Sequence, residues 1–342
     1  MINIKKISII LLFLSLSVPI VLFNGCSSKS KAPIVTIDGR KLYLDDFMYD
    51  IYLIEAEGKK LEKYYLETLG HHYWDYEYEG VTLRDSAKNS ILTRVVMDDI
   101  LSDQAQKKGI TLSEQERDDN KKAVNALMEA FPEEVQNKKA LSPELISKAY
   151  DKKTLSDKYY RELSKSFRID DKAIRSKIVA EELREYKTEC LYIPTVTVGE
   201  DTLTPYNKEE STVALKEISE VLGRVKEGTE FNTIINEDNN LSYYARNFVS
   251  TDSIYEADYQ NAAILLKDGM YSEIISTQYG YYIIHMLDNN STERYEKAVK
   301  DAITKEEDRQ FAEAYSLIKE QYDITIDFKY WDTIVIGNLT TE

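Results

Sequence analysis

The stretch 266–286 constrains the fold of this chain more than any other. It reads Leu-Lys-Asp-Gly-Met-Tyr-Ser-Glu-Ile-Ile-Ser-Thr-Gln-Tyr-Gly-Tyr-Tyr-Ile-Ile-His-Met. Gly269 follows an apolar run at 262–266, and this order predicts a helix that ends in a left-handed glycine cap. The β-branched segment 274–277 and the aromatic segment 281–286 predict two strands joined by a tight turn. The stretch is therefore expected to form a helix end followed by a pair of strands.

The residues before this stretch predict a mixed unit of helices and strands over 188–288. The expected elements are a strand at 189–193, a loop at 194–206, helices at 208–226 and 231–235, a strand at 243–249 and a helix at 258–266. With the two closing strands, the order becomes strand, helices, strand, helix and two strands. The region is therefore expected to mix helices with strands.

The stretch 266–286 resembles the C-terminal half of the parvulin-type peptidyl-prolyl isomerase domain. The matching positions are Leu266, Gly269, Ser272, Ile275, Thr277, Gly280, Tyr281, Ile283 and Ile284. The segment 222–231 is similar to a second motif of that family, so the resemblance covers a whole domain. It implies the order of elements given above, an α+β domain with about four antiparallel strands, and a groove that receives proline-containing polypeptides.

The reaction implied by this resemblance is rotation about an X-Pro bond, which faces a barrier of about 18–20 kcal/mol. A protein lowers that barrier by holding the ring in an apolar pocket and stabilising the twisted amide, without a nucleophile. The family's two histidines fall on Cys190 and Tyr282, and its pocket residues fall on Tyr259 and Tyr255. The resemblance therefore implies a degenerate active site with no assigned catalytic residue. The expected substrate-binding residues are Tyr244, Tyr255, Tyr259 and Tyr282.

The three histidines do not indicate a catalytic or metal site. His285 alternates with Tyr282 and Ile284 along the predicted strand, so it is expected on the opposite face, as a surface or inter-lobe residue. His71 and His72 are adjacent, and adjacent side chains do not point to one centre on a helix or strand. No metal ion or cofactor is expected.

The N-terminus has the pattern of an export signal. Two lysines precede an apolar run at 7–23, which is shorter than the roughly 20 residues of a spanning helix. The sequence Gly-Cys-Ser-Ser follows and resembles a bacterial lipobox, which implies lipid attachment to Cys26. Residues 1–25 are therefore predicted to be a signal peptide and 26–32 a tether. An uncleaved N-terminal anchor is the alternative.

The net charge argues against a nucleic-acid-binding protein, and the cysteine content argues against a disulfide-stabilised one. Residues 1–25 contain two lysines and no acidic residue, so their removal changes the formal net charge from −16 to −18. Nucleic acid is not an expected partner, because its phosphates require basic surfaces. The only cysteines are Cys26 and Cys190, so a lipid on Cys26 leaves no intramolecular disulfide.

The rest of the chain predicts a helical lobe. Residues 34–43 have the pattern of a hairpin with an Asp-Gly turn, followed by an amphipathic helix with Phe47, Ile51 and Ile54 on one face. This order is similar to the start of the chaperone lobe that precedes parvulin domains. Helix starts are predicted at Ser113, Ser142 and Asp170. A long helix at 293–322 and an apolar segment at 324–331 are expected to return to the lobe.

These patterns predict three regions after the tether. A helical chaperone lobe begins with residues 33–187, a parvulin-like domain is inserted at 188–288, and residues 289–342 complete the lobe. The fold class is α+β.

The leading hypothesis is a lipid-anchored foldase or chaperone on the outer face of the bacterial cytoplasmic membrane. Its expected partners are unfolded or partly folded exported polypeptides, and the membrane through the lipid on Cys26. One alternative is an active peptidyl-prolyl cis-trans isomerase. Another is a solute-binding lipoprotein, for which repeated βαβ units in two lobes are expected. A homodimer is left open.

Overall fold

The computed structural model describes residues 32–138, 140–199, 202–237 and 240–341. These residues divide into two compact units. The first contains the described residues up to Phe167 and those from Gln310 onward, and the second is Arg168–Arg309. The predicted boundaries, after 187 and after 288, both lie inside the second unit.

The described residues contain helices and short antiparallel strands, which confirms the α+β class. The helices are α1 (Met48–Tyr64), α2 (Leu83–Lys107), α3 (Glu114–Ala130), α4 (Glu133–Lys138), α5 (Pro143–Ser164), α6 (Asp171–Ser176), α7 (Lys208–Lys226), α8 (Phe231–Glu237), α9 (Ala257–Ala263), α10 (Glu293–Lys319) and α11 (Phe328–Trp331). The strands are β1 (Val35–Ile37), β2 (Arg40–Leu42), β3 (Glu77–Tyr78), β4 (Val81–Thr82), β5 (Glu185–Pro194), β6 (Val196–Val198), β7 (Leu203–Pro205), β8 (Ser242–Val249), β9 (Ile275–Ser276), β10 (Gly280–Ser291) and β11 (Ile324–Ile326).

The predicted helix starts are found where local capping chemistry places them. Ser113 accepts a hydrogen bond from the Glu116 amide and forms a capping box at the start of α3. Ser142 and Asp170 likewise accept hydrogen bonds from the first turns of α5 and α6. These side chains satisfy amide donors that the helix itself leaves unpaired.

The first unit is built on a three-stranded sheet and packed helices. Its strand order is β11-β1-β2, so the C-terminal strand pairs with the N-terminal hairpin. Asp38 and Gly39 both have positive φ, 46° and 80°, at the turn between β1 and β2. The core includes Phe47, which precedes α1, and Ile51 of α1, and the ring centre of Trp331 lies 5.2 Å from that of Phe47.

A buried carboxylate fixes the C-terminal end of the chain to this unit. Glu55 of α1 is fully buried and accepts hydrogen bonds from the amides of Gly337, Leu339 and Thr340 at 2.7–2.9 Å. A single side chain thus satisfies several amide donors of the C-terminal segment. The segment after α11 is therefore held against α1.

The second unit contains a four-stranded antiparallel sheet with strand order β8-β5-β10-β9. Helix α7 has the bounds predicted for it, and it packs with α8 on one face of the sheet. Helix α9 packs on the other face. The order of these elements is the one that the parvulin resemblance implied.

Two local predictions were wrong. The predicted loop at 194–206 contains the hairpin of β6 and β7, because the β-branched strand Val196–Val198 pairs with Leu203–Pro205. The predicted helix at 258–266 ends at Ala263, so Gly269 does not cap it. Gly269 does have a left-handed φ of 75°, but its amide donates to the Met286 carbonyl and so pairs with β10.

Candidate functional site

The sheet of the second unit places side chains alternately on its two faces. Even-numbered residues of β5, β8 and β10 share the face that α9 covers. In the strand register, Cys190 lies opposite Tyr244 on one side and Ile284 on the other, and Tyr282 lies opposite Tyr192. The register therefore gathers the predicted site residues of all three strands on one face.

The four tyrosines predicted to bind substrate surround one side chain, Arg246. The guanidinium carbon of Arg246 lies 4.5 Å from the ring centre of Tyr259, 4.7 Å from Tyr255, 4.8 Å from Tyr282 and 5.6 Å from Tyr244. All four distances are within the range of cation–π attraction, about 6 Å. The structure thus brings the four predicted residues together, around a cation that the sequence motifs did not reveal.

A carboxylate neutralises this cation. Arg246 Nη1 lies 3.2 Å from Glu256 Oε2, and Arg246 Nη2 donates to the Tyr282 hydroxyl at 3.2 Å. The Tyr282 hydroxyl in turn donates to Glu256 Oε1 at 2.8 Å. The Arg246 and Glu256 side chains are only 12% and 16% exposed. We call Arg246, Glu256 and the four tyrosines the Arg246 cluster.

The tyrosines of the cluster differ in their access to solvent. Tyr259 is fully buried and Tyr282 is 2% exposed, whereas Tyr244 is 44% exposed. Thr188 donates its hydroxyl hydrogen to the Arg246 carbonyl, so the Tyr259 hydroxyl donates to Thr188 Oγ1, 2.8 Å away. Tyr259 and Tyr282 therefore support the guanidinium from within, and Tyr244 forms the accessible edge.

Protonation states at the cluster are fixed by burial. Burial raises the pKa of Cys190 to about 11, so its thiol is neutral at neutral pH. Burial also raises the pKa of Tyr192 to about 12 and the pKa values of Tyr259 and Tyr282. The phenols are therefore neutral hydrogen-bonding groups, and the thiol is a fully buried core side chain.

His285 lies on the opposite face of the sheet, as strand alternation predicts. Its ring stacks on Tyr271 with centres 4.2 Å apart, and its Nδ1 lies 2.8 Å from Glu189 Oε1. It is half-buried rather than a surface residue. The imidazole belongs to the packing around Phe231 and does not replace the histidines absent from positions 190 and 282.

This geometry suits contact and hydrogen bonding better than proton transfer. The charges of Arg246 and Glu256 offset each other, and burial keeps the Tyr259 and Tyr282 phenols and the neighbouring Cys190 thiol neutral. What remains exposed is the aromatic surface of Tyr244 and the half-buried rings beside it, which can pack against apolar or proline side chains.

The remaining histidine pair and the predicted lipidation site are placed as follows. His72 Nδ1 lies 2.5 Å from Glu62 Oε1 in an exposed loop, and no described His, Cys, Asp or Glu side chains form a group of three that could hold a metal ion. Within the described part of the chain, no helix has the length and apolar character needed to cross a membrane. Cys26 and the predicted signal peptide lie outside the described residues.

Comparison with known proteins gives one clear relative. The foldase protein PrsA of Caldanaerobacter subterraneus subsp. tengcongensis is 22% identical over 295 residues, which cover 82% of this chain and 81% of that protein. This chain resembles a PrsA foldase. The similarity confirms the resemblance to parvulin-type foldases that the motifs indicated, and it extends over both units. No protein-family model matches the chain.

Solved structures give weaker matches. One SurA-like chaperone structure of Campylobacter jejuni, from work on PEB4 and Cj1289, shares 12% identity, with 86% of this chain and 98% of that chain covered and a TM-score of 0.33. The PrsA foldase of Lactococcus lactis shares 16% identity, with 91% and 99% covered and a TM-score of 0.32. Both TM-scores are below 0.5, too low for either superposition to establish a shared fold.

Proposed function

We propose that this protein is an extracytoplasmic foldase of the chaperone kind, which binds unfolded exported polypeptides while they fold. The similarity to a PrsA foldase over 82% of the chain supports this proposal, because it includes the helical unit as well as the parvulin-like one. An isomerase domain alone would not account for similarity in the helical unit.

The Arg246 cluster is the observation on which we choose between client binding and catalysis of prolyl isomerisation. The tyrosines at the positions that the resemblance assigns to the proline pocket, Tyr255 and Tyr259, pack around the chain's own Arg246–Glu256 pair. Client binding can use other surfaces, since apolar side chains are exposed elsewhere in the second unit. They include Val198, Ile254 and Leu265, which are 76%, 61% and 82% exposed.

We place the protein at the membrane through lipid on Cys26. The proposal follows from the lipobox-like Gly-Cys-Ser-Ser sequence after the apolar N-terminal run. We expect the wild type to incorporate labelled palmitate when it is expressed in a bacterial host, and the Cys26→Ala variant to incorporate none. A wild type that carries no label but stays in the membrane fraction would favour the uncleaved anchor.

Suppression of aggregation tests the chaperone proposal directly. Residues 33–342, which lack Cys26, are mixed with a thermally unfolding client, and light scattering is recorded at several ratios. We expect scattering to fall as the protein is added, and to fall less with Leu265→Ser and Ile254→Ser together. An unrelated acidic protein of similar size is the control. Unchanged scattering at several-fold excess contradicts the proposal.

A proline-tetrapeptide isomerisation assay separates the chaperone from an active isomerase. We expect no acceleration over the uncatalysed rate, because Cys190 and Tyr282 stand where the resemblance places the family's two histidines. Acceleration that is lost in Tyr244→Ala and in Tyr259→Ala would establish isomerase activity instead. The exposed Tyr244 makes this test independent of whether Tyr259→Ala folds.

The solute-binding alternative is disfavoured by topology. It predicted repeated βαβ units, which require parallel strands. All strand pairs in the described part of the chain are antiparallel.

A further inference from the structure

The first unit contains a cavity of its own, with a volume of about 650 Å³. Its walls are the segment before α1 and parts of α1, α2 and α5. This volume is within the range of small-ligand pockets, about 300–1,000 Å³. Val95, Leu145 and Ala149 supply an apolar wall, and Asp50 and Asp98 supply carboxylates. We call it the acidic cavity.

The two lysines that line the acidic cavity are already paired. Lys152 donates to Asp99 Oδ1 at 2.7 Å, and Lys148 donates to Asp46. Their charges are therefore offset by these partners and do not neutralise Asp50 and Asp98. The cavity retains an excess of negative charge.

Asp50 lies in the cavity with weak compensation. Its residue is only 9% exposed, and its ion-pair partner is Arg94, whose Nη1 lies 3.6 Å from Asp50 Oδ1. That distance exceeds a hydrogen bond. A carboxylate buried to this degree ordinarily has a close cation or several donors.

Asp98 shows the same deficit of positive charge. Its Oδ1 accepts a hydrogen bond from Ser156 at 2.7 Å, and no side-chain cation in the described part of the chain lies within 4 Å of its carboxylate. Burial raises the pKa of Asp98, and burial together with Asp98 raises the pKa of Asp50 to about 6. In both cases burial outweighs the attraction of Arg94 and Lys153, so the two carboxylates are only partly compensated.

We propose that the acidic cavity binds the alkylammonium side chain of a lysine from a client polypeptide. The two carboxylates would accept the ammonium group, and Val95, Leu145 and Ala149 would contact its aliphatic stem, which is itself apolar. A metal ion fits less well, because the described residues provide no group of three ligating side chains. The inference rests on the proposed chaperone function and names a feature of its clients.

Peptide binding tests this inference. The probe is a short, extended, N-acetylated and C-amidated peptide with one lysine, and its partner peptide has norleucine at that position. Binding to residues 33–342 is measured by calorimetry at pH 7.5. We expect the lysine peptide to bind about tenfold more tightly, a difference of about 1.4 kcal/mol. Asp50→Asn and Asp98→Asn should each abolish the preference.

The control is Asp118→Asn, which removes an equal charge from an exposed residue of α3 that pairs with Lys122. It should keep the preference. Equal binding of the two peptides, a preference unchanged in both cavity variants, or tighter binding of an arginine peptide would each overturn the inference.

Failure of this inference is distinguishable from failure of the proposed function. Aggregation suppression is measured on the same three variants and on the wild type. Suppression by the wild type without a lysine preference removes the cavity proposal alone. A lysine preference without suppression keeps the cavity as a site and removes the chaperone function.

Discussion

The Arg246 cluster and the acidic cavity both take carboxylates out of water, but only the cluster places a cation within hydrogen-bond distance of its carboxylate. Glu256 lies 3.2 Å from a guanidinium nitrogen and accepts a phenol hydrogen bond at 2.8 Å. Among the described residues, the ion-pair partner of Asp50 is Arg94 at 3.6 Å, and burial raises the pKa of Asp50 to about 6. The charges of the cluster therefore compensate each other, whereas those of the cavity do so only in part.

This difference makes the Arg246 cluster a structural element and the acidic cavity a candidate binding site. Desolvating a charge costs several kcal/mol unless hydrogen bonds and an opposite charge offset it. In the cluster that cost is offset within the second unit, so the pair contributes to the fold and leaves little for a ligand to add. In the cavity the desolvation cost of the carboxylates is not fully offset, so binding of a cation there would be favourable.

Removal of Arg246 gives the largest expected effect. Arg246→Ala leaves Glu256 buried without a cation, and breaking one side of a buried pair costs about 3–5 kcal/mol. The measurement is the opening free energy of β8 and β10 by amide hydrogen exchange, which reports on the second unit locally. Arg246→Met combined with Glu256→Gln should recover most of the loss. A loss below about 1 kcal/mol would show that the cluster is not internally compensated.

The Asp50→Asn substitution should raise the free energy of unfolding, whereas Arg246→Ala should lower it. The folded-state pKa of Asp50, about 6, lies above the ordinary value of 3.8, so between these values the folded state holds a proton that the unfolded state has lost. The wild-type free energy of unfolding therefore falls as pH rises from 4 to 6. The shift of about two pH units corresponds to roughly 3 kcal/mol. Asn cannot ionise, so the variant should be more stable by up to that amount above pH 6.

Urea denaturation of both proteins at several pH values measures this difference. Burial has the largest effect on the pKa of Asp50, followed by the charges of Asp98 and Arg94 on α2 and of Lys153 on α5. The advantage of Asp50→Asn should be full at pH 7 and close to zero at pH 4. An advantage that does not depend on pH, or a destabilised variant at pH 7, would show that Asp50 is compensated in the folded state.

The elements with strong local signals could be predicted from the sequence. Helix α7 was predicted with its observed bounds, because Asn207 caps its start and apolar residues recur along one face. The three capped helix starts and the strands β5, β8 and β10 also depend on nearby residues. The pairing of β6 with β7 was missed because Pro194, Gly199 and Pro205 indicated a loop more strongly than the Val and Thr residues between them indicated strands.

The centre of each site was missed because it depends on packing between distant segments. Two signals were nevertheless present. Arg246 lies two residues after Tyr244, on the face that strand alternation assigns to the predicted site. Asp50 lies three residues after Phe47 and next to Ile51, within the apolar stripe of α1. A charged residue in a position that the pattern assigns to the core is a signal for a buried pair or a site.

The rate at which a reagent labels the Cys190 thiol gives the smallest expected effect. It reports how often the face of the sheet that α9 covers opens to solvent. The thiol is fully buried with a pKa of about 11, so little thiolate exists at pH 8 and a reagent must await local opening. In residues 33–342 it is the only thiol. We expect an aromatic disulfide reagent to label the native protein roughly 100-fold more slowly than the urea-unfolded protein. Labelling should accelerate in Arg246→Ala but not in Asp50→Asn, because only the first opens the face that covers Cys190. Rapid native labelling would mean that this face opens readily, and the contrast between the two regions would then be lost.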